Sequence, residues 1–101
     1  MSRSVLAKVY WIPPEQGGRT SLPTGKRYST LARFTQDADT WLQEAWSILL
    51  EFDEPPADQG NPSLAKARFL AEKAPGDRLQ LGCAFALYEG HKKVAMVEIV
   101  A

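Results

Sequence analysis

Gly17-Gly18-Arg19 is the stretch whose residue types most directly suit ligand binding. Two adjacent glycines admit positive φ, so backbone N–H groups can converge beside a guanidinium that grips a carboxylate or phosphate with both prongs. The same three residues suit a tight loop whose arginine caps backbone carbonyls, and both readings stand at this level. Arg19, Lys26, Arg27 and Arg33 cluster around Tyr28 in sequence, which would set cations beside a stacking surface along one edge. Acidic residues of unplaced position argue instead for a mixed, neutral surface. Cys83, the only cysteine, follows Gly82 among Leu81, Ala84 and Phe85 with no base beside it, the setting of a buried structural thiol rather than a nucleophile. His91, the only histidine, lies in a Gly-His-Lys-Lys turn without the partners a triad or metal centre needs. Asp37 with Asp39, and Asp53 with Glu54, are carboxylate pairs by spacing alone; acids at strand ends and before prolines belong to turns and solvent. No constellation points to an enzyme, a metal or a cofactor.

The elements that must position these residues are read from periodicity. Val5, Ala7, Val9 and Trp11 alternate with Leu6, Lys8, Tyr10 and Ile12 up to Pro13-Pro14, which predicts a strand ending at the diproline. Glu15 to Lys26, with Gly17-Gly18, Pro23 and Gly25, is a long loop with an internal turn. Arg27 to Phe34 places Tyr28, Thr30, Ala32 and Phe34 on one face and Arg27, Ser29 and Arg33 on the other, a second strand.

Thr40 to Phe52 carries a helical stripe, Trp41, Leu42, Ala45, Trp46, Leu49 and Leu50, behind a Thr40/Gln43 capping box. It also carries a period-two face, Trp46, Ile48, Leu50 and Phe52. Ser63 to Ala74 is equally double: good helix formers that Ser63 could cap, with Ala65, Ala67, Phe69 and Ala71 in clean alternation. The Pro55 to Pro62 stretch reads as a stiff surface excursion. Leu79 to Tyr88 and Val94 to Val100 predict a terminal hairpin turning near Gly90.

At 101 residues the chain suits a single domain, residues 1–101, able to bury about 65% of its unfolded surface without disulfides or metal. Twelve basic and twelve acidic residues give zero net charge, which removes the long-range attraction of a dedicated nucleic-acid binder. A lone cysteine, no signal-peptide pattern at Met1 to Ile12 and no apolar run of membrane-spanning length predict a cytoplasmic protein without a membrane partner.

Two stretches together resemble the third domain of elongation factor Tu. Lys8-Val9-Tyr10, Glu15-Gln16-Gly17-Gly18-Arg19 and Thr35-Gln36-Asp37 look like that domain's first strand, its Glu-Gly-Gly-Arg loop and the end of its second strand. Phe85-Ala86-Leu87-Tyr88-Glu89-Gly90-His91-Lys92-Lys93-Val94 looks like its final hairpin, with His91 in place of a second glycine and Lys92 in place of an arginine. The resemblance covers about half of the chain and implies an all-β fold, a closed six-stranded antiparallel barrel in which both ambiguous segments are strands. The GTPase part of that factor has no counterpart: no Gly, four residues, Gly-Lys-Ser/Thr loop is present, so no nucleotide partner is expected. In the translation factor this domain contacts tRNA and partner proteins, and such a role would map onto Gly17, Gly18, Arg19, Glu89, Gly90 and Lys92.

These readings converge on a non-catalytic macromolecule-binding barrel that engages another protein through its end loops, in a translation-related, regulatory or toxin-neutralising role. The candidate contact residues are Gly17, Gly18, Arg19, Arg27, Tyr28, Trp41, Glu89, Gly90, His91 and Lys92. Trp46 is expected inside; Trp11 and Trp41 either offer a ring face at the barrel rim or plug its ends. The alternative is an RNA or tRNA module using Arg19, Arg27, Lys92 and Lys93 on phosphates and Tyr28 or Trp11 on bases. A small-molecule barrel ranks last, because six strands enclose only enough room for their own side chains.

Overall fold

Alternation settles which side of each strand faces inward. In β1 (Val5–Trp11), Ala7, Val9 and Trp11 are buried, whereas Leu6 and Tyr10 are exposed. The computed structural model describes residues 4–34, 46–70 and 79–100. Within them the further strands are β2 (Arg27–Arg33), β3 (Trp46–Glu51), β4 (Ser63–Phe69), β5 (Ala84–Glu89) and β6 (Lys92–Ile99), with one helical turn, α1 (Pro56–Gln59), between β3 and β4.

The strands close into an antiparallel barrel in the order β1-β4-β3-β2-β5-β6. Both ambiguous segments, where the structure describes them, are strands. Ile48 and Leu50 of β3 and Ala65 and Ala67 of β4 face the core, and each strand is hydrogen-bonded on both sides, so pairing overrides local helix propensity. The Thr40/Gln43 capping box lies outside the described residues.

The strand order explains the length of the first loop. β1 and β2 sit three places apart in a ring of six, on opposite walls, so the chain from Ile12 to Lys26 must cross the mouth of the barrel. It is fastened along the way. Ile12 N–H donates to Val94 O (2.9 Å), Ala57 N–H to Pro23 O (3.0 Å) and Phe52 N–H to Lys26 O, and Leu22 packs against the core. Pro55 to Pro62 is more than a surface excursion: Pro56 is buried, and the Gln59 side chain bridges Glu54 O and the backbone of Leu64. β5 and β6 form the terminal hairpin, with a bulge at Leu87/Tyr88 and Gly90 at φ +65° in the turn.

Inside, small side chains face large ones. Ala7, Ala32, Ala65 and Ala67 lie among Phe34, Ile48, Leu50, Phe85 and Leu87, all at most a few per cent exposed. The barrel is filled by its own residues, as expected for so few strands.

Candidate functional site

The end of the barrel crossed by residues 12–26 gathers most of the residues singled out above. β1 and β3 finish there, and β2, β4 and the β5–β6 turn begin there, so Arg19, Tyr28 and Glu89 arrive from three separate parts of the chain. Arg19 forms an ion pair with Glu89, Tyr28 O–H donates to the same carboxylate, and the Arg19 guanidinium stands 5.4 Å from the centre of the Tyr28 ring. Arg19 Nε also donates to Ser21 O at 3.0 Å. The glycine loop and the closing hairpin singled out in the sequence therefore meet, Arg19 from one and Glu89 from the other.

These contacts shift each group. Burial alone would raise the Glu89 carboxyl, but the hydrogen bonds from Tyr28 and Arg19 and the arginine charge outweigh it and hold it below the ordinary carboxylate value. Arg19, opposed by burial, is raised by Glu89. Burial, then the Glu89 hydrogen bond and charge, push Tyr28 up from 10.0 to about 12. A raised tyrosine favours the folded state below the unfolded-state value, so this contribution is full below about pH 10 and is lost as pH climbs toward 12. Glu89 has the opposite sign: its contribution is present above 4.5 and is lost as pH falls through its lowered value. Urea midpoints measured across the alkaline range should fall more steeply for the native chain than for Tyr28→Phe; parallel curves would refute the coupling.

The glycine loop does not form an anion cradle. Gln16 and Gly18 N–H both donate to Pro13 O and Gly17 N–H donates to Pro14 O, each at 3.0 Å, so the donors close their own turn. Of the two glycines Gly17 has the positive φ, +91°, while Gly18 is buried against the Ile12 carbonyl.

The edge of cations around Tyr28 is also absent, for reasons of parity. Tyr28 points inward and Arg27 outward on the same strand; Arg27 reaches Glu51 at 3.6 Å on the outer wall, and Arg33 lies 5.8 Å from the Tyr88 ring. Trp11 offers no ring face. It is 4% exposed, edge-on to Tyr28 at 5.5 Å, and its Nε1 donates to Ser63 Oγ at 3.1 Å, while Ser63 Oγ donates to Gly60 O. Asn61 holds the Trp11 backbone as a neighbouring strand would, accepting from its N–H at 2.8 Å and donating to its carbonyl at 2.9 Å.

Gly90, His91 and Lys92 are exposed at the hairpin tip. Trp46 is half-buried, edge-on to Phe69. Cys83 is half-buried rather than buried, because it precedes β5 and packs against the core from its margin. Trp41 lies outside the described residues.

No family model and no curated protein matches this chain. Function must therefore be argued from its own residues. Among the described residues no group of histidine, cysteine or carboxylate side chains could hold a metal ion, and no helix is long and apolar enough to cross a membrane.

The residues missed at the sequence level lie on the outer wall. Leu64, Lys66 and Arg68 alternate outward along β4, and Leu6, Lys8 and Tyr10 do so along the adjacent β1. The alternation was the available signal; which strands stand side by side was not.

Proposed function

We propose that the chain is a non-catalytic protein-binding barrel whose outer β1–β4 wall, rather than its mouth, carries the contact surface. The observation that carries this reading is an exposed apolar group on two paired strands: Leu64 is 48%, Tyr10 40% and Leu6 39% exposed, flanking Lys8, which lies directly opposite Leu64. Cross-strand diagonals bring such side chains within reach of one another, and contiguous exposed apolar surface serves protein contact. At the mouth, by contrast, Arg19, Tyr28 and Glu89 satisfy each other. An RNA module at the mouth has less support, since Trp11 is buried and Tyr28 is held by Glu89 and Trp11.

The test is a tagged pull-down at low and moderate salt with analysis of both protein and RNA. A protein retained at moderate salt by the native chain and by Arg19→Ala, yet lost with Leu6→Asp/Leu64→Asp, is the expected result. Retention unaffected by the leucine changes, RNA released by salt, or an empty eluate would each overturn the reading.

A further inference from the structure

The register places charge on the wall beside those leucines. Arg27 of β2 lies opposite Glu51 of β3, Glu51 opposite Lys66 of β4, and Lys66 opposite Leu6 of β1, a row across four strands. In the next row Leu49 lies opposite Arg68. All these side chains point outward. A groove of about 450 Å³ runs over this wall, with the cations Lys26, Arg27 and Lys66 and the carboxylates Glu51 and Asp53 among its lining.

The charges here do not cancel. Glu51 is shared between Arg27 at 3.6 Å and Arg68 at 3.7 Å, both longer than a strong charge-assisted hydrogen bond. Lys8, Lys26 and Lys66 form no ion pair among the described residues. A chain of zero net charge thus concentrates five cations, Lys8, Lys26, Arg27, Lys66 and Arg68, around three carboxylates, Glu51, Asp53 and Glu98, the last opposite Lys8 on β6. Leu6 and Leu64 lie between them, and Leu70 is exposed just past the end of β4.

We infer that the β1–β4–β3–β2 wall docks an acidic, leucine-bearing segment of a partner protein. This rests on the protein-binding reading above and specifies the partner's chemistry. Positive potential steers and orients an acidic partner, while the interleaved leucines supply the apolar contact that charges alone do not. The wall favours protein over single-stranded RNA because the apolar side chains between its cations, Leu6 and Leu64, are aliphatic. Base stacking along a strand needs successive aromatic platforms, and Tyr10 is a single exposed ring beside the Glu98 carboxylate, while Trp11 and Phe52 are buried. Because the barrel is closed it has no edge to add a strand to, so recognition goes through side chains.

The probes are a fluorescein-labelled Glu-Glu-Leu repeat peptide long enough to cross four strands, about 14 Å, and an oligouridine of similar span. The native chain should bind the peptide saturably and more tightly than the RNA. Lys66→Glu/Arg68→Glu should weaken peptide binding about tenfold or more, and a Lys-Lys-Leu repeat should bind that variant in preference to the native chain. Lys92→Glu/Lys93→Glu, the same charge change at the hairpin tip, should leave the affinity within about twofold, as should Arg19→Ala. Circular dichroism checks folding, and Lys66→Gln/Arg68→Gln repeats the measurement should the reversed pair misfold. Equal losses from the wall and tip variants, tighter binding of the RNA, or no peptide binding would overturn the inference. No peptide binding together with a leucine-dependent pull-down would sink the acidic partner alone and leave the protein-binding reading standing.

Discussion

Gly18→Ala should destabilise the barrel by about 3 kcal/mol or more, the steepest loss of any glycine-to-alanine change among the described residues. A Cβ on Gly18 would fall inside the Ile12 carbonyl oxygen, with the carbonyl carbon and the Ile12 side chain close behind, so only movement of the main chain can make room. That main chain has little freedom, because Ile12 N–H is tied to Val94 and Gly18 N–H to Pro13. The neighbouring glycine gives the internal comparison: Gly17 has open space around its would-be Cβ but sits at φ +91°, so Gly17→Ala should cost only the left-handed penalty, about 1–2 kcal/mol. Urea unfolding at neutral pH orders the two. A second readout follows from the geometry, since lifting the loop off Ile12 also lifts Arg19 from Glu89. In Gly18→Ala, Glu89 loses the hydrogen bond and the charge of Arg19 that help to lower it, so its carboxyl should titrate closer to an ordinary carboxylate than in the native chain. Equal stabilities for the two variants, with the Glu89 titration unmoved, would mean that the crossing loop is not packed as described.

What was legible beforehand was parity. Alternation along Val5 to Trp11, Arg27 to Phe34 and Trp46 to Phe52 marks the buried face of each strand, and the six-stranded closed barrel is as expected. Where the site expectations failed, parity had been set aside for a local cue. Of the two readings of Trp11, a ring face at the rim or a plug in the barrel end, the second holds, because Trp11 shares its face with Ala7 and Val9. Arg27 and Tyr28 are adjacent and so must face opposite ways, which rules out one edge lined by both.

Other features lay beyond any local reading. The Arg19–Glu89 pair joins residues far apart in the chain, and the crossing of residues 12–26 follows from strand order, which alternation does not encode. The same holds for the outer wall. That Lys66 and Arg68 share a face is written in β4 itself, but that Arg27, Glu51 and Leu6 complete the row requires β2, β3 and β1 to be placed beside it.

Phe34→Ala should cost about 3–5 kcal/mol and lower the melting temperature by on the order of 15 °C or more. Phe34 follows β2 and is 2% exposed; its ring stacks on Phe85 at 4.7 Å and tilts against Phe69 at 5.9 Å, and Phe69 in turn meets Trp46 edge-on at 6.5 Å. The cluster draws on the end of β2, the start of β3, the end of β4 and the start of β5, so it closes the barrel at the end opposite Arg19. Truncation leaves a cavity that the paired backbones cannot collapse into, and the inward neighbour on the same strand, Ala32, is too small to fill it. Phe34→Leu keeps most of the volume but forfeits the ring contacts, and should cost about 1–2 kcal/mol. Because Arg19, Tyr28 and Glu89 lie at the far end, neither change should alter the alkaline ionisation of Tyr28 while the chain remains folded. A loss below about 1 kcal/mol for Phe34→Ala would mean that this end is open to water, and the filled interior, one ground for proposing a contact surface on the outer wall, would no longer hold.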